Sequence, residues 1–222
     1  MFRHDLLHGI YQACAAARKS VHIYEPEIDI SGFDIVVDNL FRTLRFQLKS
    51  KLIGSATRAW SIHKTLLRPN LECLNSLPFI PGGEGAGYMG GVILIEADIT
   101  EANIQYSYSY TDVLVICAKH ASIFGPSSSL GKAAVTSIFK ELVRPDLECK
   151  PMILKKEVFW KFSNLGNLLK FAGLSSDVRD NFHLCVSSLH HRPPMHGNKK
   201  LSAEASRRLA ESILRPLLDL RK

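Results

Sequence analysis

Apolar residues at Phe2, Leu6, Leu7, Ile10, Tyr11 and Cys14 recur about every 3.6 positions, which predicts an amphipathic helix over 3–18 with Arg18 and Lys19 at its C-terminal end. The period then changes to two. Residues 21–25 predict a strand, and two further strands follow around a tight turn. On the first, Phe33, Ile35 and Val37 share one face while Asp34, Val36 and Asp38 share the other; on the second, Phe46 and Leu48 oppose Arg45, Gln47 and Lys49. A hairpin closing symmetrically over 39–44 sets Asp38 opposite Arg45, Val36 opposite Gln47 and Asp34 opposite Lys49. An acid, an amide and an ammonium then converge on one face, and a slip of a single residue would separate them.

Downstream, Trp60, Ile62 and Leu66 predict a fourth strand over 56–68, followed by a Pro/Gly-rich loop over 77–87. The continuous apolar run 91–96 has the character of a sheet centre. Ile104, Tyr106, Tyr108 and Tyr110 alternate strictly, predicting a strand whose tyrosines pack on a sheet face rather than stack on bases. Residues 112–118 fit strand and helix equally. The stretch 125–132 superficially resembles a phosphate-binding loop, but five residues separate its glycines where four are needed, and Ala133 stands where a hydroxyl should. It reads as a loop into a segment over 132–143. A strand and then a helix are predicted over 157–174, capped by Ser163 and stopped by Gly173. Composition divides the chain into a domain over 1–174, a linker over 175–200 and a basic amphipathic helix over 201–222 with Leu209, Ile213, Leu217 and Leu220 on one stripe. That helix is expected to dock on the domain, on a second copy or on a partner protein. Residues 61–73 and 137–149 are identical at nine of thirteen positions, an internal echo centred on Arg-Pro.

With 222 residues, 46% hydrophobic and 22% charged, the chain suits a globular domain with a full core. No run approaches the ~18 apolar residues of a membrane span, and the N-terminus lacks the features of a secretory signal. Five cysteines without a Cys-x-x-Cys pair argue against a disulfide framework and a structural zinc, and point to a reducing cytoplasm. The net charge of +7 suggests a polyanionic partner. Between Asp38 and Glu72 stand Arg42, Arg45, Lys49, Lys51, Arg58, Lys64 and Arg68 with no acid among them, a basic strip suited to phosphate contacts.

The segment Gly32-Phe33-Asp34-Ile35-Val36-Val37, with Gln47-Leu48-Lys49 beginning 13 residues after Asp34, resembles the Asp...(Glu/Gln)-x-Lys signature of the PD-(D/E)xK, or restriction-endonuclease-like, nucleases in its Gln-x-Lys variant. The resemblance implies an α/β fold with a mixed sheet flanked by helices and, here, a helical C-terminal tail. It further implies Asp34, Gln47 and Lys49 as catalytic residues. Asp34, Gln47 and the Leu48 carbonyl would hold Mg2+ or Mn2+, and Arg42, Arg45, Lys51, Arg58 and Lys64 would hold nucleic acid, DNA or RNA. The chemistry suits the residue types, because a hard cation wants oxygen donors and phosphodiester hydrolysis needs positive charge near the developing oxyanion. The sequence departs from the family in two ways: Gln47 is neutral where many members carry Glu, and the first helix has no Glu. Asp5, Glu25 and Glu27, with His4 and His8, are the polar residues near enough in sequence to substitute. The competing expectation is a module on the same fold that binds nucleic acid or a protein without cutting.

Overall fold

The computed structural model describes residues 2–27, 32–70, 87–101, 103–124, 130–144, 151–176, 178–190, 195–196 and 199–200, with Glu204, Arg208 and Asp219. Its centre is a six-stranded mixed sheet in the order β1-β2-β3-β5-β6-β8: β1 (His22–Tyr24), β2 (Ile35–Asp38), β3 (Thr43–Leu52), β5 (Gly91–Ile99), β6 (Ile104–Thr111) and β8 (Trp160–Phe162). Only β3 and β5 pair in parallel, Phe46 with Gly91 through Leu52 with Ala97. The other neighbours are antiparallel.

Side-chain alternation on these strands divides the core in two. On one side Ile35, Val37, Phe46, Ile93, Ile95 and Tyr110 pack against α1 (Phe2–Ala16), α5 (Leu165–Ala172) and α6 (Val178–His190). On the other, Val92 and Leu94 meet Trp60 and Ile62 of β4 (Ala59–Ile62), Leu66 and Leu67 of α2 (Lys64–Leu67), Val135 and Leu142 of α4 (Lys132–Val143), and Met152 and Leu154 of β7 (Met152–Lys155). β4 and β7 form their own antiparallel ribbon over this side. The helix α3 (Val113–His120) lies at the junction and feeds Val115 into one core and Ile116 into the other. The molecule is therefore α/β, with a mixed sheet flanked by helices.

Several expectations are corrected. The fourth strand stops at Ile62 and the chain turns into α2, since Leu66 and Leu67 bury a helical rather than an alternating pair. Residues 112–118, which fit strand and helix equally in sequence, resolve as a helix over Val113–His120, started by Asp112, whose carboxylate accepts the Val115 amide at 2.8 Å. Asn164, not Ser163, caps α5, accepting the Asn167 amide at 2.9 Å; Gly173 ends that helix at φ +79° as expected. The linker expected over 175–200 is overturned for 178–190, where α6 buries Phe182, Cys185 and Val186 and belongs to the domain. The Pro/Gly-rich loop 77–86 and the amphipathic pattern of the C-terminal helix lie outside the described residues.

The internal echo is a shared way of leaving a helix. Arg68 and Arg144 precede prolines, which disfavours helical ψ, and both are extended, at ψ 142° and 128°. Each follows a helix whose Leu, Leu66 or Leu142, is fully buried. The two exits also pack together: the Arg68 guanidinium donates to the Leu142 carbonyl at 2.8 Å and the Arg144 carbonyl at 2.9 Å, and Lys64 pairs with Glu141 at 2.7 Å. Arg68 thus satisfies the last carbonyls of α4, which have no partner inside their own helix.

Candidate active site

The hairpin of β2 and β3 closes two residues tighter than the sequence suggests. Asp38 pairs with Thr43 and Val36 with Arg45, across a turn over 39–42. The turn tightens because Asn39 accepts the Phe41 and Arg42 amides at 3.2 and 2.9 Å. A shift of two leaves every side chain on its expected face but moves partners along the strand. The pairs end at Ile35 with Phe46, and the Asp34 amide bonds that same Phe46, so Asp34 does not stand opposite Lys49, correcting the expected register.

At this point β2 has ended and Asp34 takes over its edge. The Asp34 amide donates to the Phe46 carbonyl at 2.8 Å, and its Oδ2 accepts the Leu48 amide at 2.5 Å. One strand residue directs its N–H and C=O to the same side. The Leu48 carbonyl therefore points along the same edge, past the last β2 partner, beside the Asp34 carboxylate. Gln47 is buried, and its Oε1 accepts the His63 amide at 3.2 Å, which fixes the amide oxygen's direction. The His63 ring in turn rests on Gly32, at φ +70°; a Cβ there would lie 2.1 Å from the His63 Cβ. Lys49 is half-buried as a residue and makes no hydrogen bond or ion pair among the described residues.

The structure also brings up Arg3, which sequence reading did not single out. Its guanidinium donates to the Asp34 carbonyl and pairs with Glu25, both at 3.0 Å, tying that acid to the strand end. Glu25 is thus the substitute acid that Arg3 links to the Asp34 backbone, whereas Asp5 accepts from the Tyr106 hydroxyl and His8 bonds Gln12. A long-range arginine contact of this kind leaves no local sequence signal.

The basic strip is only partly a surface. Arg45 stands over the Tyr88 ring at 4.7 Å and the Phe33 ring at 5.8 Å, and Arg58 is exposed. Arg42 pairs with Asp180. Lys51 lies 3.1 Å from the buried Glu96, which also holds Lys156 at 2.6 Å. Burial raises the Glu96 carboxyl pKa, but hydrogen bonds and charge from Lys156 and Lys51 outweigh this and hold it below its ordinary value. Lys64 corrects the expectation of a phosphate contact: its side chain is 4% exposed and spent on Glu141. Arg68 is equally buried.

As a cation site the oxygen set is Asp34, the Gln47 amide oxygen and the Leu48 carbonyl. Among the described residues no group of three His, Cys, Asp or Glu side chains converges. One carboxylate with two neutral oxygens fits a hard cation that keeps several waters and excludes a zinc-type site. Cys14, Cys117 and Cys185 are buried and outside any disulfide, and burial pushes Cys185 up to about 11. No helix among the described residues is long and apolar enough to cross a membrane. Compared with known proteins, the chain matches no family model, no curated protein and no solved structure.

Proposed function

We propose that this protein is a metal-dependent nuclease that hydrolyses DNA phosphodiester bonds on a restriction-endonuclease-like core. The observation that carries the reading is the edge where β2 gives way to Asp34: its carboxylate accepts the Leu48 amide, whose neighbours on β3 are Gln47 and a Lys49 that bonds no described residue. Asp34, Gln47 and the Leu48 carbonyl would hold Mg2+ or Mn2+, which when bound supplies Lewis-acid activation and charge neutralisation at the phosphate.

The chain's own groups have defined tasks around that centre. Lys49 stabilises negative charge developing on the phosphoryl oxygens, a task for which an ammonium bonded to no described residue is suited. His63 and Gly32 keep the Gln47 oxygen in place, and Arg3 anchors the Asp34 backbone while drawing Glu25 close. Arg45, held over Tyr88 and Phe33, and the exposed Arg58 provide phosphate contacts, while Lys51 is held by the buried Glu96. We place the protein in the cytoplasm, acting in defence or repair, and assign its C-terminal helix to self-association or a partner.

Cleavage of plasmid and single-stranded DNA with Mg2+ or Mn2+ tests the reading. Asp34→Ala and Lys49→Ala are expected to reduce the rate by about 10²–10³-fold each, the scale of losing a charge-stabilising group. Cutting that survives both substitutions overturns it. The single carboxylate in the described donor set favours a second reading, a nucleic-acid-binding module without hydrolysis. DNA binding with no cutting under any divalent ion selects it.

A further inference from the structure

The ribbon of β4 and β7 leaves one of its edges open. Among the described residues β7 has β4 as its single strand neighbour. The Lys156 amide donates to the Arg58 carbonyl at 2.9 Å, one step beyond the pairing of Ala59 with Lys155, so by alternation Leu154 and Met152 are the β7 residues that bond across the ladder. Ile153 and Lys155 therefore turn their N–H and C=O groups to the opposite edge, where no described residue bonds them. Backbone groups left in this state are a template for another strand. Ile153 is 63% exposed and adds an apolar handle to that template.

The open edge borders a groove. A hollow of about 490 Å³ lies between β7 and α4, with Ile153 and Lys155 on the strand wall and Ala134, Ser137 and Ile138 on the helix wall. The helix wall is fixed relative to the edge, because Val135 and Leu142 of α4 share a core with Met152 and Leu154 of β7. Ala134 and Ser137 are small and exposed, so the helix leaves space beside the strand. β7 is four residues long, about 13 Å at ~3.3 Å per residue, which sets the length of chain it can pair. Lys155 and Glu157 line the groove with opposite charges, so its selection falls on apolar side chains and not on a polyanion.

We propose that this groove takes an extended, apolar peptide segment of a partner protein, which adds to β7 as the third strand of the ribbon. The unpaired groups of Ile153 and Lys155 specify another extended backbone, and Ile138 and Val158 specify its apolar side chains. The β7 of a second copy does not fit, because it carries its own α4 along the edge that would have to enter. The groove shares no residue with the cation-binding set of Asp34, Gln47 and Leu48. The proposal therefore goes beyond the nuclease reading and does not depend on it.

The test uses the full chain, amide hydrogen exchange read residue by residue, and a blocked heptapeptide of alternating valine and threonine as the probe. In the free protein the Ile153 and Lys155 amides exchange fast and the Leu154 amide slowly. At a peptide concentration about tenfold above Kd the first two slow by about tenfold, and Leu154 is unchanged. N-methylation of one alternate set of peptide amides abolishes the effect and of the other set preserves it, because a single set faces β7. Ala134→Arg fills the groove from its exposed helix wall, and Ile153→Pro removes an edge donor that β4 does not use. Both variants lose the peptide's protection while keeping the parent's circular dichroism, and Ala134→Arg decides the matter should the proline variant not fold. Ile153 and Lys155 amides already slow in the free chain overturn the proposal, as does the absence of slowing at millimolar peptide. Equal slowing by both methylated peptides reduces the contact to apolar adsorption and overturns it too. A protein whose sedimentation falls on Ala134→Arg gives the groove to a second copy, and protection by duplex DNA in place of the peptide gives it to a polyanion; in either case the proposal is wrong. None of these outcomes bears on DNA cutting, which both variants are expected to leave unchanged.

Discussion

The Asp34 carboxylate replaces a missing strand partner for Leu48, accepting that residue's amide at 2.5 Å just beyond the end of β2. A residue assigned to cation binding is thus also a structural cap, and its two roles separate by substitution. Asp34→Asn keeps an acceptor for the Leu48 amide and is expected to fold with little loss while cutting falls. Asp34→Ala leaves that amide without its charged acceptor and should cost about 1.5–3 kcal/mol as well. Urea denaturation beside the cleavage assay distinguishes the two; equal stability of both variants would mean the cap contributes nothing.

Gly32→Ala should be among the more damaging small changes in the chain. The backbone there is left-handed and the new methyl would overlap the His63 side chain. We expect a loss of about 1–3 kcal/mol from overpacking and strain, and weakened divalent-ion affinity because His63 carries the bond that orients Gln47. Thermal melts with and without Mn2+ check both parts.

Glu96→Gln removes the carboxylate shared by Lys51 and Lys156. Stability at neutral pH should fall by about 1–3 kcal/mol. Because the folded carboxyl is held below its ordinary value, its contribution is present above 4.5 and is lost as pH falls through the folded pKa. The wild type should therefore show a steeper acid loss than the variant, which denaturation curves from pH 7 to pH 3 would display.

His183 predicts a second slope at higher pH. Burial lowers its pKa from 6.5, with Arg179 and Arg42 adding to the effect and Asp112 and Asp180 opposing it. The unfolded chain then binds the proton more readily, so stability falls as pH drops below 6.5 and rises as pH is raised. His183→Gln should flatten that part of the profile. An unchanged slope would assign the dependence elsewhere.

Arg68→Met tests the paired helix exits. The substitution keeps the apolar stem but strips the Leu142 and Arg144 carbonyls of their donor. A loss of about 2–4 kcal/mol is expected, the scale of two buried acceptors left unmatched, seen as a lowered urea midpoint with an unchanged slope.

The parts legible in the sequence were those carried by periodicity over a long stretch. The first helix, the alternation around Phe46 and Gln47, the central run 91–96 and the tyrosine strand all stand close to where the pattern put them. Tyr108 and Tyr110 are indeed core residues, and Tyr106 packs against them. The register of the first hairpin was not legible, because a period of two looks identical after a shift of two and only the Asn39 turn bonds decide between them. The helix α6 was hidden by its polar residues: Val178, Phe182, Cys185 and Val186 have helical spacing, but the histidine- and proline-rich stretch after them set the apparent character of the region. For the site, residue types were readable and their neighbours were not. Arg3, Gly32 and His63 reach it from other parts of the chain through contacts that no local spacing encodes.

The turn over 39–42 works as a length gauge for everything beyond it. Adding two residues there would slide Asp34 further along β3, with the same side chains still facing the same way. Adding one would turn the strand over and bury the acid under the helices. Variation in the loop is thus quantised in its effect on the chemistry: even steps retune the distance between carboxylate and amide, while odd steps silence the site from the far end of the hairpin.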